Sequence, residues 1–287
     1  MEMILQLLLD TLLLAGFYSM LSSGFSLMWG VTGIINLAYG SFVLVGAYLF
    51  YWAYQSGVNL PNAFLLVFLS GLLGGVAFQR IFINRLMNYE PFTLLILTFG
   101  LDILFTNLLN LIFKADVRSV QIQSLSKSLF IRDFILPYNK LSVFLISSLV
   151  ILFVEVYLRF SWTGRAIRAV SADRTGAQLC GINPGNVYTI STSLATALAM
   201  LSGCFYALLQ GFTPFDSESI TLKAFFVCVV GGLGTLQGLL LGSLLLSLSE
   251  VFSGFYLGEE WKMVVSLFIL IVFLLFKPRG FAGVKYA

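Results

Sequence analysis

The chain has no histidine and only three cysteines in 287 residues, and only 10% of its residues are charged. Without histidine it can hold no Ser-His hydrolase pair, no HExxH zinc-protease motif and no imidazole proton relay. Cys180, Cys204 and Cys228 stand in no CxxC or other ligand spacing, so neither a disulfide framework nor a metal site is indicated. The pattern GxxxxGK[ST] is absent, and with it a P-loop, so any use of ATP has to come through a partner chain. No GxGD-like pair of helix aspartates occurs, and the usual nucleophile-base sets of an enzyme are missing. The net charge of +3 is dispersed among loops and not gathered in a basic stripe, which argues against nucleic acid as a partner.

What the sequence does contain is apolar surface. Hydrophobic residues make up 59% of it, with 28 Phe and 26 Gly, and the mean hydropathy is +0.96. Soluble domains carry roughly 45–50% apolar and about 25% charged residues, so these values describe an all-α polytopic membrane protein that contacts lipid along its length. Apolar runs are expected to form helices near 4–28, 34–54, 61–80, 91–113, 141–160, 187–210 and 260–276. The stretch 220–254 is long enough for two short spans interrupted by Gly231, Gly232, Gly234 and Gly238, giving eight or nine spans in a single membrane domain over 1–287. The first run lacks a basic flank and a small-residue cleavage site, and reads as a retained helix. Residues 32–42 and 231–243 are Gly-broken regions, one in each half, and are candidates for matching elements of an inverted repeat.

Lys and Arg in the loops set the orientation. Arg80, Arg85, Arg159, Arg165, Arg168, Arg174, Lys277, Arg279 and Lys285 fall on one side. Lys114, Arg118, Lys127, Arg132, Lys140, Lys223 and Lys262 fall on the other, most of them in the longer loop 114–140, which also carries Asp116 and Asp133. Residues 164–190 are accordingly expected in the cytoplasm and 114–140 outside.

Polar groups within the apolar runs are the candidates for a path. Asp102 lies mid-run in "PFTLLILTFGLDILFTNLLNLIF"; a carboxylate there costs at least ~2.5–3.5 kcal/mol on insertion scales, so it should face the bundle or a water-filled path. Either it lines that path or it hydrogen-bonds between helices, with Asn107 as the partner at hand. Asn36 is a second path candidate, with a capping or turn role at the helix entry as the alternative. Glu155 is expected to pair with Arg159 one turn later, and Glu250 to reach the interface from near a helix end.

The densest charge lies in "GRAIRAVSADRTGAQLCGINPGNVYTI", residues 164–190. Thr163 can cap a helix starting at Gly164 or Arg165, and Asp173 can cap a second one from Arg174, with Gly181 and Pro184 as stops. Ile167, Val170, Ala177, Leu179 and Ile182 would face inward, and Arg165, Arg168 and Arg174 outward. Pattern alone leaves two readings open, a helix pair held by lipid headgroups and one held by a partner protein.

This block resembles the cytoplasmic coupling loop of the LivH/LivM-type branched-chain amino acid permeases, membrane subunits of a group of ABC importers. The likeness extends to "GIINLAYGSFVLVGAY" (33–48), "VVGGLGTLQGLLLGSLLLSLSE" (229–250) and the closing "KPRGFAG" (277–283), in family order. The resemblance implies a type II ABC importer fold in the bacterial cytoplasmic (inner) membrane. It also implies a second permease subunit, identical or homologous, two cytoplasmic ATP-binding subunits and an extracytoplasmic solute-binding protein. No cofactor would be bound by this chain, and ATP would be used by the partner subunits. The solute would be a branched-chain or other amino acid, or a related small polar solute such as urea or an amide. Residues 164–184 would form the coupling helices, with Arg165, Arg168, Asp173 and Arg174 docking on the ATPase and Gly164 and Gly181 shaping the helix ends. Asp102 departs from the small uncharged polar residue common near this point in the family, and leaves open an ion-coupled transporter or channel that would use Asp102 directly.

Overall fold

In a bilayer every backbone N–H and C=O has to find a partner within the chain, and helices do this locally. The computed structural model, which describes residues 2–87, 89–123, 125, 127–131, 134–232, 236–277 and 280–281, is accordingly built from helices. They are α1 (Glu2–Thr32), α2 (Tyr39–Gln55), α3 (Leu60–Phe78), α4 (Asn84–Leu86), α5 (Pro91–Phe113), α6 (Tyr138–Phe160), α7 (Trp162–Ala172), α8 (Arg174–Leu179), α9 (Pro184–Leu209), α10 (Ser217–Gly231), α11 (Leu236–Tyr256) and α12 (Trp261–Phe276). A π-helical turn, Gln79–Ile83, joins α3 to α4 without a break. Pro61, Pro91 and Pro184 stand in the first turns of α3, α5 and α9, where a missing N–H costs no helical bond.

Among the described residues, six helices are long and apolar enough to cross a membrane: Glu2–Thr32, Leu60–Leu86, Pro91–Phe113, Tyr138–Phe160, Pro184–Leu209 and Gly238–Tyr256. Three shorter helices are α2 with 17 residues, α10 with 15 and α12 with 16. The expected helix at 34–54 starts later, because residues 33–36 are irregular and α2 opens only at Tyr39. The ambiguous stretch 220–254 resolves into α10 and α11.

One small strand pair accompanies the helices. Strands β1 (Ser128–Ile131) and β2 (Phe134–Pro137) pair antiparallel inside the expected loop 114–140, and α6 begins at Tyr138, so Lys140 is helical. The side chain of Gln6 meets the β2 edge like a strand: its Nε2 donates to the Ile135 carbonyl at 2.9 Å and its Oε1 accepts the Ile135 N–H at 3.2 Å. That satisfies backbone groups a two-stranded hairpin leaves open.

The chain divides into two compact units, Met1–Ser22 with Gln121–Ile151 and Leu222–Ala287, and Ser23–Val120 with Leu152–Thr221. In the first, Lys140 pairs with Asp10 at 2.7 Å, and Ser249 meets Ser266 between α11 and α12 at 3.0 Å. In the second, α9 is the central helix, buried along most of its length. Small residues let its neighbours approach to backbone contact: a Cβ on Gly71 would lie 2.6 Å from the Ala197 Cα, and one on Gly75 would lie 2.6 Å from the Ser193 Cα. The Ser193 hydroxyl donates to the Leu72 carbonyl at 2.7 Å across the same seam. Thr192 donates to buried Gln79 at 2.7 Å, which in turn donates to Asn84 at 2.9 Å, so the π turn is held by side chains.

Candidate functional site

The charged block folds as two short helices, with differences in detail from the expected boundaries. Helix α7 starts at Trp162, and its cap is Ser161, whose hydroxyl accepts the Gly164 N–H at 2.9 Å; Thr163 lies inside the helix. Asp173 caps α8 as expected, its carboxylate accepting the Thr175 N–H at 2.9 Å. Gly181 takes φ +83 just after α8, a conformation side chains other than glycine resist. Pro184 opens α9 and does not act as a stop; Asn183 caps that helix by accepting the Gly185 N–H at 3.0 Å.

The cations of this block have separate roles. Arg165 is exposed, and its guanidinium lies 4.1 Å from the centroid of the Trp162 ring. Arg174 lies 5.8 Å from the Tyr188 ring. Arg168, expected to face outward, folds back and donates to the Leu158 carbonyl and, at 3.2 Å, to the Arg159 carbonyl. It thereby fills two of the carbonyls left open at the C-terminus of α6 and adds positive charge where the helix dipole is negative. Gly164 serves the same junction, since a Cβ there would strike the Leu158 carbonyl. Ser171 donates to the Gly30 carbonyl, tying α7 to the end of α1.

Ile167, Val170 and Ala177 are buried, but Leu179, expected among them, is 86% exposed, and so is Trp162 at 80%. Among the described residues no ion pair joins Arg165, Arg168 or Arg174 to a carboxylate, nor Arg159 to Glu155. The block thus offers an exposed apolar and cationic surface on a helix pair that is clamped from behind.

The second group of candidates surrounds the break between α1 and α2. Asn36 is buried; its side chain accepts the Ala38 N–H at 3.1 Å and its amide contacts the Met28 sulfur at 3.6 Å, the geometry of a turn residue. The backbone of the break is held by hydroxyls from other helices. Leu37 N–H donates to Thr98 at 3.2 Å, and Gly40 N–H to Thr221 at 2.8 Å. A Cβ on Gly40 would collide with the Ser217 carbonyl, so only glycine lets α2 and the start of α10 approach so closely. Asp102 accepts a hydrogen bond from Ser217, and Ser41 also bonds to it. Asn107, expected as its partner, is exposed and donates to the Ile103 carbonyl at 2.7 Å on its own helix. Asn36 and Asp102 therefore belong to one polar neighbourhood with Ser41, Thr98, Ser217 and Thr221, and Asn107 does not. Isolated hydroxyl residues in apolar runs gave no sequence signal for the last four.

A third group is a correction. Glu250 does not reach an interface. It is buried, with Lys223 Nζ 3.0 Å from one carboxylate oxygen and the Tyr18 hydroxyl donating to the other. Lys223, counted above among the outer loop charges, lies within α10. Of the glycine-broken region, Gly234 lies outside the described residues, as do Arg132, Asp133, Lys285 and Pro278 and Arg279 of the closing motif. A Cβ on Gly231 would lie 2.5 Å from the Gly238 carbonyl oxygen, so α10 and α11 touch at this break, and the Phe281 N–H donates to the Val230 carbonyl at 2.8 Å. Among the described residues no cluster of ligating side chains suited to a metal ion occurs.

Residues 7–274 match the family described as branched-chain amino acid transport system, permease component. The chain is 28% identical to the high-affinity branched-chain amino acid transport system permease protein LivH of Salmonella typhimurium, over 97% of this chain and 95% of that protein. It is equally 28% identical to the corresponding permease protein BraD of Pseudomonas aeruginosa, over the same shares. To the permease protein LivM of Escherichia coli it is 24% identical, over 94% of this chain and 69% of that one. No solved structure matches it.

Proposed function

The chain belongs to the family of permease components of branched-chain amino acid transport systems, and on that footing we propose that it is one half of the membrane channel of an ABC importer for branched-chain amino acids. It is a multi-pass membrane transport subunit and not itself an enzyme. In this reading α1–α3 with α4, α5, α6, α9, α10, α11 and α12 give nine spans in a type II importer arrangement in the cytoplasmic membrane. The Gly-broken regions 32–42 and 231–243 are the corresponding elements of an inverted repeat.

The second permease subunit, two ATP-binding subunits and an extracytoplasmic binding protein complete the transporter. ATP acts at the ATP-binding subunits, since this chain has no P-loop. Helices α7 and α8, which carry most of the coupling segment 164–184, rest on the ATP-binding subunit through Trp162, Arg165, Arg174 and Leu179. Closure of the ATPase dimer then pushes this segment, and the movement passes to α6 through Arg168 and Gly164 and to α9 through Asn183. Asn36 and Asp102 stand beside the path, where the side chains gathered at the helix break offer a polar solute partners in place of water.

The observation that carries this reading is the exposed Trp162, Arg165 and Leu179 surface on a helix pair anchored from behind, in a chain without an ATP site. Reconstitution tests it. In liposomes holding the chain with its partner subunits and binding protein, leucine uptake should require ATP and stop when the ATP-binding subunits are omitted. Uptake by this chain alone, driven by an ion gradient and indifferent to ATP, would instead assign Asp102 to ion coupling and end the importer reading. Uptake of urea in preference to leucine would retain the importer and change its solute.

A further inference from the structure

Lys223, Glu250 and Tyr18 take no part in that account, yet they set an ion pair and a phenol hydroxyl together within an apolar unit. Lys223 Nζ stands 3.0 Å from Glu250 and 3.4 Å from the Tyr18 hydroxyl, and 5.6 Å from the centre of the Tyr18 ring. The Lys223 side chain is 22% exposed and that of Glu250 4%, so the ammonium is the approachable end of the pair. Glu250 also ends a polar face. Ser243, Ser247 and Glu250 follow at helical spacing on α11 and all are buried. Ser243 shares a hydrogen bond with Ser19 of α1 at 2.5 Å, one position beyond Tyr18. Tyr18, Ser19, Ser243 and Glu250 thus join α1 to α11 by polar contacts.

A buried ion pair is a poor device for stability, because desolvation of both ions offsets their attraction. Ionisable residues within membrane helices characteristically mark solute or ion routes. We infer that Lys223, Glu250 and Tyr18 form a binding subsite for the zwitterionic head of an α-amino acid. The carboxylate of the solute meets the accessible Lys223 ammonium, and its own ammonium takes the Glu250 oxygen that Lys223 gives up, while Tyr18 keeps hold of the other oxygen. A neutral pair opens around a neutral zwitterion, so each charge keeps an opposite partner. An amine or a carboxylic acid entering alone leaves one buried charge unpaired. The site therefore selects for both charged ends of the solute, and the side chain is left to other contacts. This inference rests on the amino-acid reading above.

The test uses the full chain purified into lipid nanodiscs, with radiolabelled leucine as the probe. Isocaproate, which is leucine without its amino group, and isoamylamine, which is leucine without its carboxylate, serve as competitors. In the native chain each half-ligand should compete at least about tenfold more weakly than unlabelled leucine, the minimum expected when a buried charge loses its partner. The double variant Lys223→Met, Glu250→Leu leaves no unpaired charge and should lose leucine binding to background. The single variant Glu250→Gln, which keeps the ammonium, should come to favour isocaproate over isoamylamine. Leucine binding within twofold of native in the double variant overturns the subsite and leaves a structural pair. If that variant does not insert, the native competition decides, and equal competition by leucine and both half-ligands overturns the inference, as does absence of leucine binding to the native chain. The importer reading is judged separately by ATP-dependent uptake in the complete transporter.

Discussion

Two charged regions of this chain follow opposite rules. Around α7 the cations are exposed and meet carbonyl oxygens and aromatic rings: Arg168 on Leu158 and Arg159, Arg165 on Trp162, Arg174 on Tyr188. In the other region one cation, Lys223, is set against one buried carboxylate, Glu250, with Tyr18 closing the group. At a surface a cation is already solvated, so it can be spared for a partner or for a helix end. In the apolar interior it needs an opposite charge. Removing a partner should therefore cost little in the first region and much in the second.

The largest effect is expected from Glu250→Leu. It leaves Lys223 without its counter-ion, and breaking a buried pair from one side costs about 3–5 kcal/mol. Thermal unfolding in detergent should show a large loss and the yield of inserted protein should fall. Adding Lys223→Met should restore most of it, because an apolar pair of similar volume is tolerated. A single variant as stable as the native chain would place this pair under the same rule as the α7 cations.

Next comes the α3–α9 seam, which has no charge at all. Gly75→Val would drive a side chain into the α9 backbone at Ser193 and the Thr192 carbonyl, and overpacking of this kind costs about 1–3 kcal/mol. The expected outcome is a lowered melting temperature with the coupling surface still able to retain the ATP-binding subunit in a pull-down.

Much of this was legible in the sequence, and the reason differs between the regions. Apolar runs located the helices because lipid allows few alternatives to a helix, and Asp173 announced its cap because a cap acts on the next two residues. The family likeness was carried by blocks in order. What stayed hidden depends on distant neighbours. Nothing in the letters around Lys223 or Glu250 says that two residues 27 positions apart come together. Of the four hydroxyls around the break at 33–38, three come from two distant helices, α5 and α10. Leu179 reads as core by periodicity, yet it is exposed because α8 ends at that residue. The hairpin at 128–137 escaped because its edge is finished by Gln6, more than a hundred residues away.

Arg168 tests the surface rule itself. Arg168→Gln should cost only about 1 kcal/mol in stability, the usual scale of a hydrogen bond near water. Its effect on transport should be larger, because α7 would then move without drawing the end of α6. The ATP-binding subunit should still bind and hydrolyse ATP, while leucine moved per ATP falls severalfold; Arg168→Lys should recover part of the ratio through one retained donor. Loss of ATP-binding subunit attachment in Arg168→Gln would instead make Arg168 a docking residue, the role that the family resemblance implies.

The smallest effect separates two adjacent hydroxyls. Ser161 accepts the Gly164 N–H and so fixes where α7 begins, whereas Thr163 sits inside the helix. Replacing an N-cap serine by alanine typically costs about 1 kcal/mol, and an alanine inside a helix is, if anything, slightly favourable. Ser161→Ala should therefore lower stability and fray the first turn, exposing Trp162 and Arg165 to faster amide exchange, while Thr163→Ala leaves both unchanged. The reverse order would move the start of α7 to Gly164 or Arg165. It would also detach Trp162 from the rigid part of the coupling surface, and the exposed ring would no longer be held in place against an ATP-binding partner.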